Sequence, residues 1–162
     1  METRQLCELI SLYFDEVIEK YHFQIVPVGK YEVILANSNC LLLICAGRDG
    51  VSIRYILADG KQLPVVSLGH FLIGHRKIYT TTDLEKYDGF EKEVRHLLSS
   101  YALTLARTSD DILSGDDKWF DKTRHSYLSL SEHKSNSIKT ALRKAGRNSI
   151  SNILKKHKFR CR

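Results

Sequence analysis

Five aspartates crowd one short stretch of the chain: Asp110, Asp111, Asp116, Asp117 and Asp121. Carboxylates in such number are the raw material of a divalent-metal site or an acid–base pair. Their spacing is not the D-x-[DN]-x-[DN]-G run of a calcium loop. Ser114-Gly115 between them marks a turn, so the group reads as a solvated turn whose acids cap helices. His70 and His75 stand five apart, which is not the spacing of two ligands on one helix face; they read as a surface or interface pair. His96 lies one step from an apolar helical stripe and is expected to be partly buried and structural. The four cysteines show no CxxC or Cys/His spacing of zinc type. Cys40 and Cys45 fall in one strand on opposite sides, so they cannot pair with each other; Cys7 lies in a helix and Cys161 near the end. No G-x-S-x-G, P-loop or dinucleotide glycine pattern occurs. The expectation is no catalytic residue, no metal and no cofactor.

Charge is the stronger chemical signal. From His133 to Arg162 there are ten basic residues and no acid, whereas the preceding 132 residues hold fifteen basic and nineteen acidic groups. An asymmetry of this kind assigns the two regions different partners. Lys139, Arg143, Lys144, Arg147, Lys155, Lys156, Lys158 and Arg160 are the candidate polyanion-binding residues, since clustered cations displace counterions from a phosphate backbone. Phe159 is the single aromatic there to stack on a base, so such binding would be non-specific.

The elements that position these groups follow from periodicity. Residues 30–59 hold three apolar, β-branched runs divided by Asn37-Ser38-Asn39 and Arg48-Asp49-Gly50, the pattern of a β-meander. Cys40–Ala46 is apolar throughout, as suits a strand covered on both faces or one central in its sheet. In Val51–Ile56, Val51, Ile53 and Tyr55 point one way, Ser52 and Arg54 the other. Phe23–Val28 adds a fourth strand, placed at an edge because Pro27 lacks an N–H. Thr3–Tyr21 reads as one amphipathic helix with Thr3 at its N-cap, packing its apolar stripe on the sheet. Residues 61–75 fit either a strand or a short helix with Pro64 in its first turn, and the helix, from about Val65 to Ile73, is the preferred reading. A long helix follows from about Phe90 to Thr108, N-capped by Asp88, with Phe90, Val94, Leu98, Tyr101 and Leu105 in its stripe. Ile112, Leu113, Trp119 and Phe120 fold back to plug its end. Residues 121–137 are polar and read as a weakly ordered boundary. Beyond them Ile138, Leu142, Ile150, Ile153 and Leu154 restore a helical period, interrupted at Gly146-Arg147-Asn148-Ser149.

The fold class is therefore α+β: an antiparallel meander of three or four strands packed against an N-terminal helix and a long helix near residues 90–108, with a basic helical C-terminal segment. Residues 1–132 read as one domain and 133–162 as a basic helical segment or tail. No apolar run reaches the length of a membrane span, and the N-terminus lacks the features of a signal peptide; a cytoplasmic protein is expected.

The run Leu98, Tyr101, Ala102, Leu105, then Asp111-Ile112-Leu113-Ser114-Gly115-Asp116, then Trp119-Phe120, resembles a pattern in small bacterial α+β proteins. Some of these resemble immunity proteins of polymorphic toxin systems. The resemblance implies a non-enzymatic binder, with a toxin as partner, and transfers no site residue. The basic C-terminus has no place in that pattern. Two functions are thus expected to compete. One is binding of a basic protein partner by the net acidic first 132 residues. The other is non-specific binding of nucleic acid or another polyanion through residues 133–162.

Overall fold

Alternating apolar residues in the first half of the chain build one antiparallel sheet. The computed structural model describes residues 1–81, 84–116, 118–122, 127–147 and 150–153. Among them six strands run in simple sequential order: β1 (Gln24–Gly29), β2 (Glu32–Ala36), β3 (Leu41–Gly47), β4 (Gly50–Ile56), β5 (Pro64–Ser67) and β6 (Tyr127–Ser129). The helices are α1 (Thr3–Tyr13), α2 (Asp15–Tyr21), α3 (Leu68–His75), α4 (Gly89–Thr108), α5 (Asp110–Leu113), α6 (Glu132–Lys144) and α7 (Ile150–Ile153), with a 3-10 turn at Lys118–Lys122. The class is α+β.

The sheet is buried on both sides, which is why β3 carries no polar residue. Val33, Leu35, Leu42, Ile44, Ile53, Tyr55 and Val66 face one core with α1, α2, α3, α4 and α5. Val26, Ile34, Leu41, Leu43, Ile56 and Val65 face a second core with Ile138 and Leu142 of α6 and Ile150 and Ile153 of α7. Successive side chains of each strand therefore enter different cores. The two cysteines of this region obey the same rule, Cys40 in the first core and Cys45 against the second.

The turns follow their sequences. Asn37 Oδ1 accepts from the backbone N–H groups of Asn39 and Cys40, both at 2.8 Å, an Asx arrangement closing β2 onto β3. Gly50 closes the β3–β4 hairpin at φ +92°, which favours glycine, and a Cβ there would lie 3.0 Å from Leu97 Cδ1 of α4, a tight contact. β1 is an edge strand, as Pro27 predicts. Asn37 N–H donates to Cys40 O, and Ala46 N–H to Tyr31 O. The odd residues of β2 thus turn their backbone toward β3; Val33, opposite Pro27, is one of them. Pro27 nitrogen faces away from the sheet, where no donor is needed.

Several expectations are corrected. The sheet has six strands, not three or four. Pro64 opens a strand rather than a helix, because Val65 and Val66 pair with Ile56 and Tyr55. The helix waits until Leu68, where Ser67 Oγ accepts from His70 N–H at 3.4 Å. β6 falls in the stretch expected to be weakly ordered; its three residues are all exposed, so backbone pairing with β5 places them and no burial pattern betrays them. Ser131 caps α6 in that same stretch, accepting from Lys134 N–H at 3.2 Å. The N-terminal helix is divided at Phe14, where the Asp15 carboxylate takes the Glu16 N–H at 2.7 Å and begins a new helix. Glu2, not Thr3, is the N-cap. The Thr3 hydroxyl instead donates to Gly29 O at 2.8 Å and Lys30 O at 2.5 Å, fastening α1 to the β1–β2 turn. His96 and Phe90 are exposed, and Tyr101 is only half-buried, its hydroxyl reaching Val51 O at 3.4 Å.

Trp119 is buried, packed edge-on against Tyr55 with ring centroids 5.2 Å apart and against Phe71 at 4.9 Å. With Ile112 and Leu113 it closes the first core, as the bracketed turn predicts. Gly115, at φ +82°, ends α5 in a Schellman motif, with Gly115 N–H donating to Ile112 O and Asp116 N–H to Asp111 O.

Candidate functional site

The candidate polyanion residues divide by position. Lys139 lies against the sheet side of α6: its Nζ donates to Gly60 O and stands 3.4 Å from the Asp59 carboxylate. Arg147 follows a second Schellman motif, in which Gly146 at φ +74° ends α6. Its guanidinium binds Gln24 Oε1 at 2.8 Å and Ala36 O at 3.1 Å. These two cations hold α6 and its exit to the strands. Lys134 does the same, paired with Glu32. Arg143 and Lys144 remain exposed on the last turn of α6, and among the described residues no carboxylate pairs with either. Lys155, Lys156, Lys158 and Arg160 lie outside the described residues.

The aspartate cluster is dispersed into structural work. Asp110 pairs with Lys20 at 3.0 Å, and Asp111 with Arg76 at 2.5 Å. Asp116 Oδ1 accepts from Lys118 N–H at 3.0 Å; Asp117 lies outside the described residues. Among the described residues no group of three His, Cys, Asp or Glu is placed to hold a metal ion. His70 and His75 are both exposed, with His75 stacked on Phe71 at 4.9 Å. Burial pushes the thiols of Cys7, Cys40 and Cys45 up from their ordinary range, which is the opposite of what a nucleophilic thiolate requires. Among the described residues, no helix is long and apolar enough to cross a membrane.

The helices over the first core build a different surface. From Glu2 to Tyr21 five carboxylates, Glu2, Glu8, Asp15, Glu16 and Glu19, are all exposed against two cations, Arg4 and Lys20. The amphipathic pattern dictates this: Leu6, Leu9, Ile10, Phe14 and Val17 are buried in the core, so the acids must face solvent. Between α1 and the start of α4 runs a groove of roughly 480 Å³, lined by Met1, Gln5, Glu8, Leu9 and Leu12 on one side and Phe90, Glu91 and Arg95 on the other. Sequence reasoning misses it. The one signal is Leu12, an apolar residue standing on the otherwise polar face of α1. Phe90 fits the core stripe by its spacing, but it falls one turn beyond the edge of the sheet-facing residues Val94, Leu98 and Leu105.

The two charged surfaces lie on opposite sides of the sheet, the acidic one over the first core and α6 over the second. Comparison with family models, with characterised proteins and with solved structures found no match for this chain.

Proposed function

We propose that this is a non-enzymatic, cytoplasmic protein-binding protein whose recognition face is the acidic helical layer, and that its partner is basic. The observation that carries the reading is the exposed set Glu2, Glu8, Asp15, Glu16 and Glu19, which outnumbers Arg4 and Lys20 along α1 and α2. Opposite net charges steer encounter and set specificity. The role implied by the resemblance, neutralisation of a toxin in the manner of immunity proteins, fits an acidic face of this kind. The test is affinity capture with the full chain as bait, beside a variant carrying Glu16→Lys and Glu19→Lys. These positions are exposed, so the fold is retained. The expected result is a basic protein held by the native chain, lost by the variant, and bound more slowly as salt rises. Equal capture by both baits would refute the acidic face.

A second reading keeps one specific support. Arg143 and Lys144 are exposed at the end of α6, where the chain leads into the remaining cations. Polyanion binding there gives an affinity that falls with salt at a slope set by the phosphates contacted. Arg143→Gln with Lys144→Gln would flatten that slope by about 1–2 if both residues touch phosphate.

A further inference from the structure

We propose that the groove between α1 and α4 is the seat of one amphipathic, basic helix of a partner protein. The inference rests on the acidic-face reading and gives it a place and an occupant.

Two features of this groove point to an occupant. The first is apolar exposure. Leu12 is 60% and Phe90 41% exposed, on opposite walls of the same groove, with Leu9 buried beneath them. Each leaves a substantial part of its apolar area in water in the free protein. Two antiparallel or crossing helices present a furrow into which a third helix sets its apolar ridge, and anchors at one- and two-turn spacing meet its walls.

The second feature is charge. Glu8 on one wall and Glu91 on the other border the groove, their side chains 63% and 58% exposed. Each is paired within its own helix, with Arg4 at 3.0 Å and Arg95 at 2.8 Å. These two arginines differ. Arg95 is held inward: its guanidinium lies 3.9 Å over the Tyr87 ring and contacts the Tyr13 hydroxyl at 3.4 Å, so it forms floor rather than rim. Arg4 is almost fully exposed, and a surface pair of that sort is easily exchanged for a partner's cation. The rim that an approaching helix meets therefore carries two carboxylates, Glu8 and Glu91, one on each wall. An acidic helix is repelled there, and so is a phosphate backbone. A helix with a leucine-type stripe flanked by lysine or arginine satisfies both the walls and the rim.

The test uses the full-length protein, labelled for amide NMR, and three synthetic helices of about four turns each. One has a leucine stripe at helical spacing with lysines elsewhere. The second has the same composition with the leucines scattered. The third replaces the lysines by glutamates. The striped basic peptide is expected to shift the amides of Gln5, Leu9, Leu12, Phe90 and Glu91 and to bind more tightly than either control. Leu12→Gln and Phe90→Gln should each weaken it by about tenfold or more, as loss of an interface anchor does. Both residues are exposed, so the melting temperature of each variant should stay at the native value. Equal binding by the scattered peptide, with shifts centred on Asp15, Glu16 and Glu19, would overturn the groove while leaving the acidic face standing. Shifts confined to α6, tight binding by the glutamate peptide, or no binding at millimolar peptide would overturn both.

Discussion

Asn37 does more than the turn its sequence context announces. It is buried, and all its side-chain hydrogen-bonding groups are engaged. Oδ1 holds the β2–β3 turn through Asn39 and Cys40, while Nδ2 donates to Tyr21 O at 3.0 Å and Leu113 O at 3.5 Å. One amide thus joins the end of α2, the end of α5 and the sheet. The turn is legible in the sequence, because an Asn-Ser-Asn cluster between apolar runs has a local meaning. The other two bonds are not, since they reach residues 16 and 76 positions away. Asn37→Ala is expected to cost roughly 3 kcal/mol or more, because several buried backbone groups lose partners at once. Asn37→Asp keeps the acceptor but turns a carboxylate oxygen toward two carbonyls. Burial beside them raises the new carboxyl's pKa in the folded state, so folding is penalised by ionisation. The sign follows: the deficit is smallest below the unfolded carboxyl pKa of about 4, grows as pH rises above it and levels off beyond the raised folded value. Urea midpoints of the two variants across pH 3–7 measure this. A pH-independent deficit for Asn37→Asp would show that the new carboxyl's pKa is not raised in the folded state.

At the scale of elements, long periodic segments declare themselves in the sequence and short ones do not. The stripe of α4 and the alternation of β4 leave little freedom, because a wrong period would bury charge. Pro64–Ser67 is only four residues long, too short for either period to emerge, and pairing with β4 decides it. β6 has no buried residue at all, so only its neighbour gives it away. The candidate site is illegible for a related reason: a groove is made by two helices far apart in sequence, and Leu12 and Phe90 each look ordinary alone. The pure apolar run of β3, by contrast, does foretell a strand covered on both faces, and the two cores are its consequence. They make a quantitative prediction. Leu98 of α4 and Ile138 of α6 are both fully buried, in different cores. Leu98→Ala and Ile138→Ala should each cost about 2–5 kcal/mol. With the sheet between them and no shared cluster, the double variant should lose the sum to within about 0.5 kcal/mol. Denaturant unfolding of the four proteins closes the cycle. A coupling larger than that would mean that the sheet transmits strain between its faces.

At the scale of the whole molecule, charge and packing divide the chain differently. Charge puts a boundary near residue 132, with acids before it and cations after it. Packing puts α6 on the second face of the sheet, over Val26, Ile34, Leu41, Leu43 and Val65. Lys134, Lys139 and Arg147 bind Glu32, Gly60 and Gln24 across that contact. Among the described residues, the cations that composition counts together are therefore of two kinds: Lys134, Lys139 and Arg147 fasten the helix, and Arg143 and Lys144 face solvent. Net charge alone does not distinguish them. The difference is tested by ending the chain at residue 131. If α6 were an appendage, the remainder would unfold cooperatively and stay monomeric. The buried contacts predict otherwise. Removing α6 and α7 exposes a contiguous apolar sheet face, including side chains from β1 through β5, of the kind that drives association. Ser135 would also vanish from Leu63 N–H, which it binds at 2.9 Å. The expected product binds a hydrophobic dye, associates at micromolar concentration and loses its sharp thermal transition. A double substitution separates fastening from mere covering: Lys139→Met with Arg147→Met keeps the helix and its apolar face. That protein should stay monomeric and cooperative with a lowered midpoint, because Asp59 and the Ala36 carbonyl lose charged partners while the apolar core remains in place.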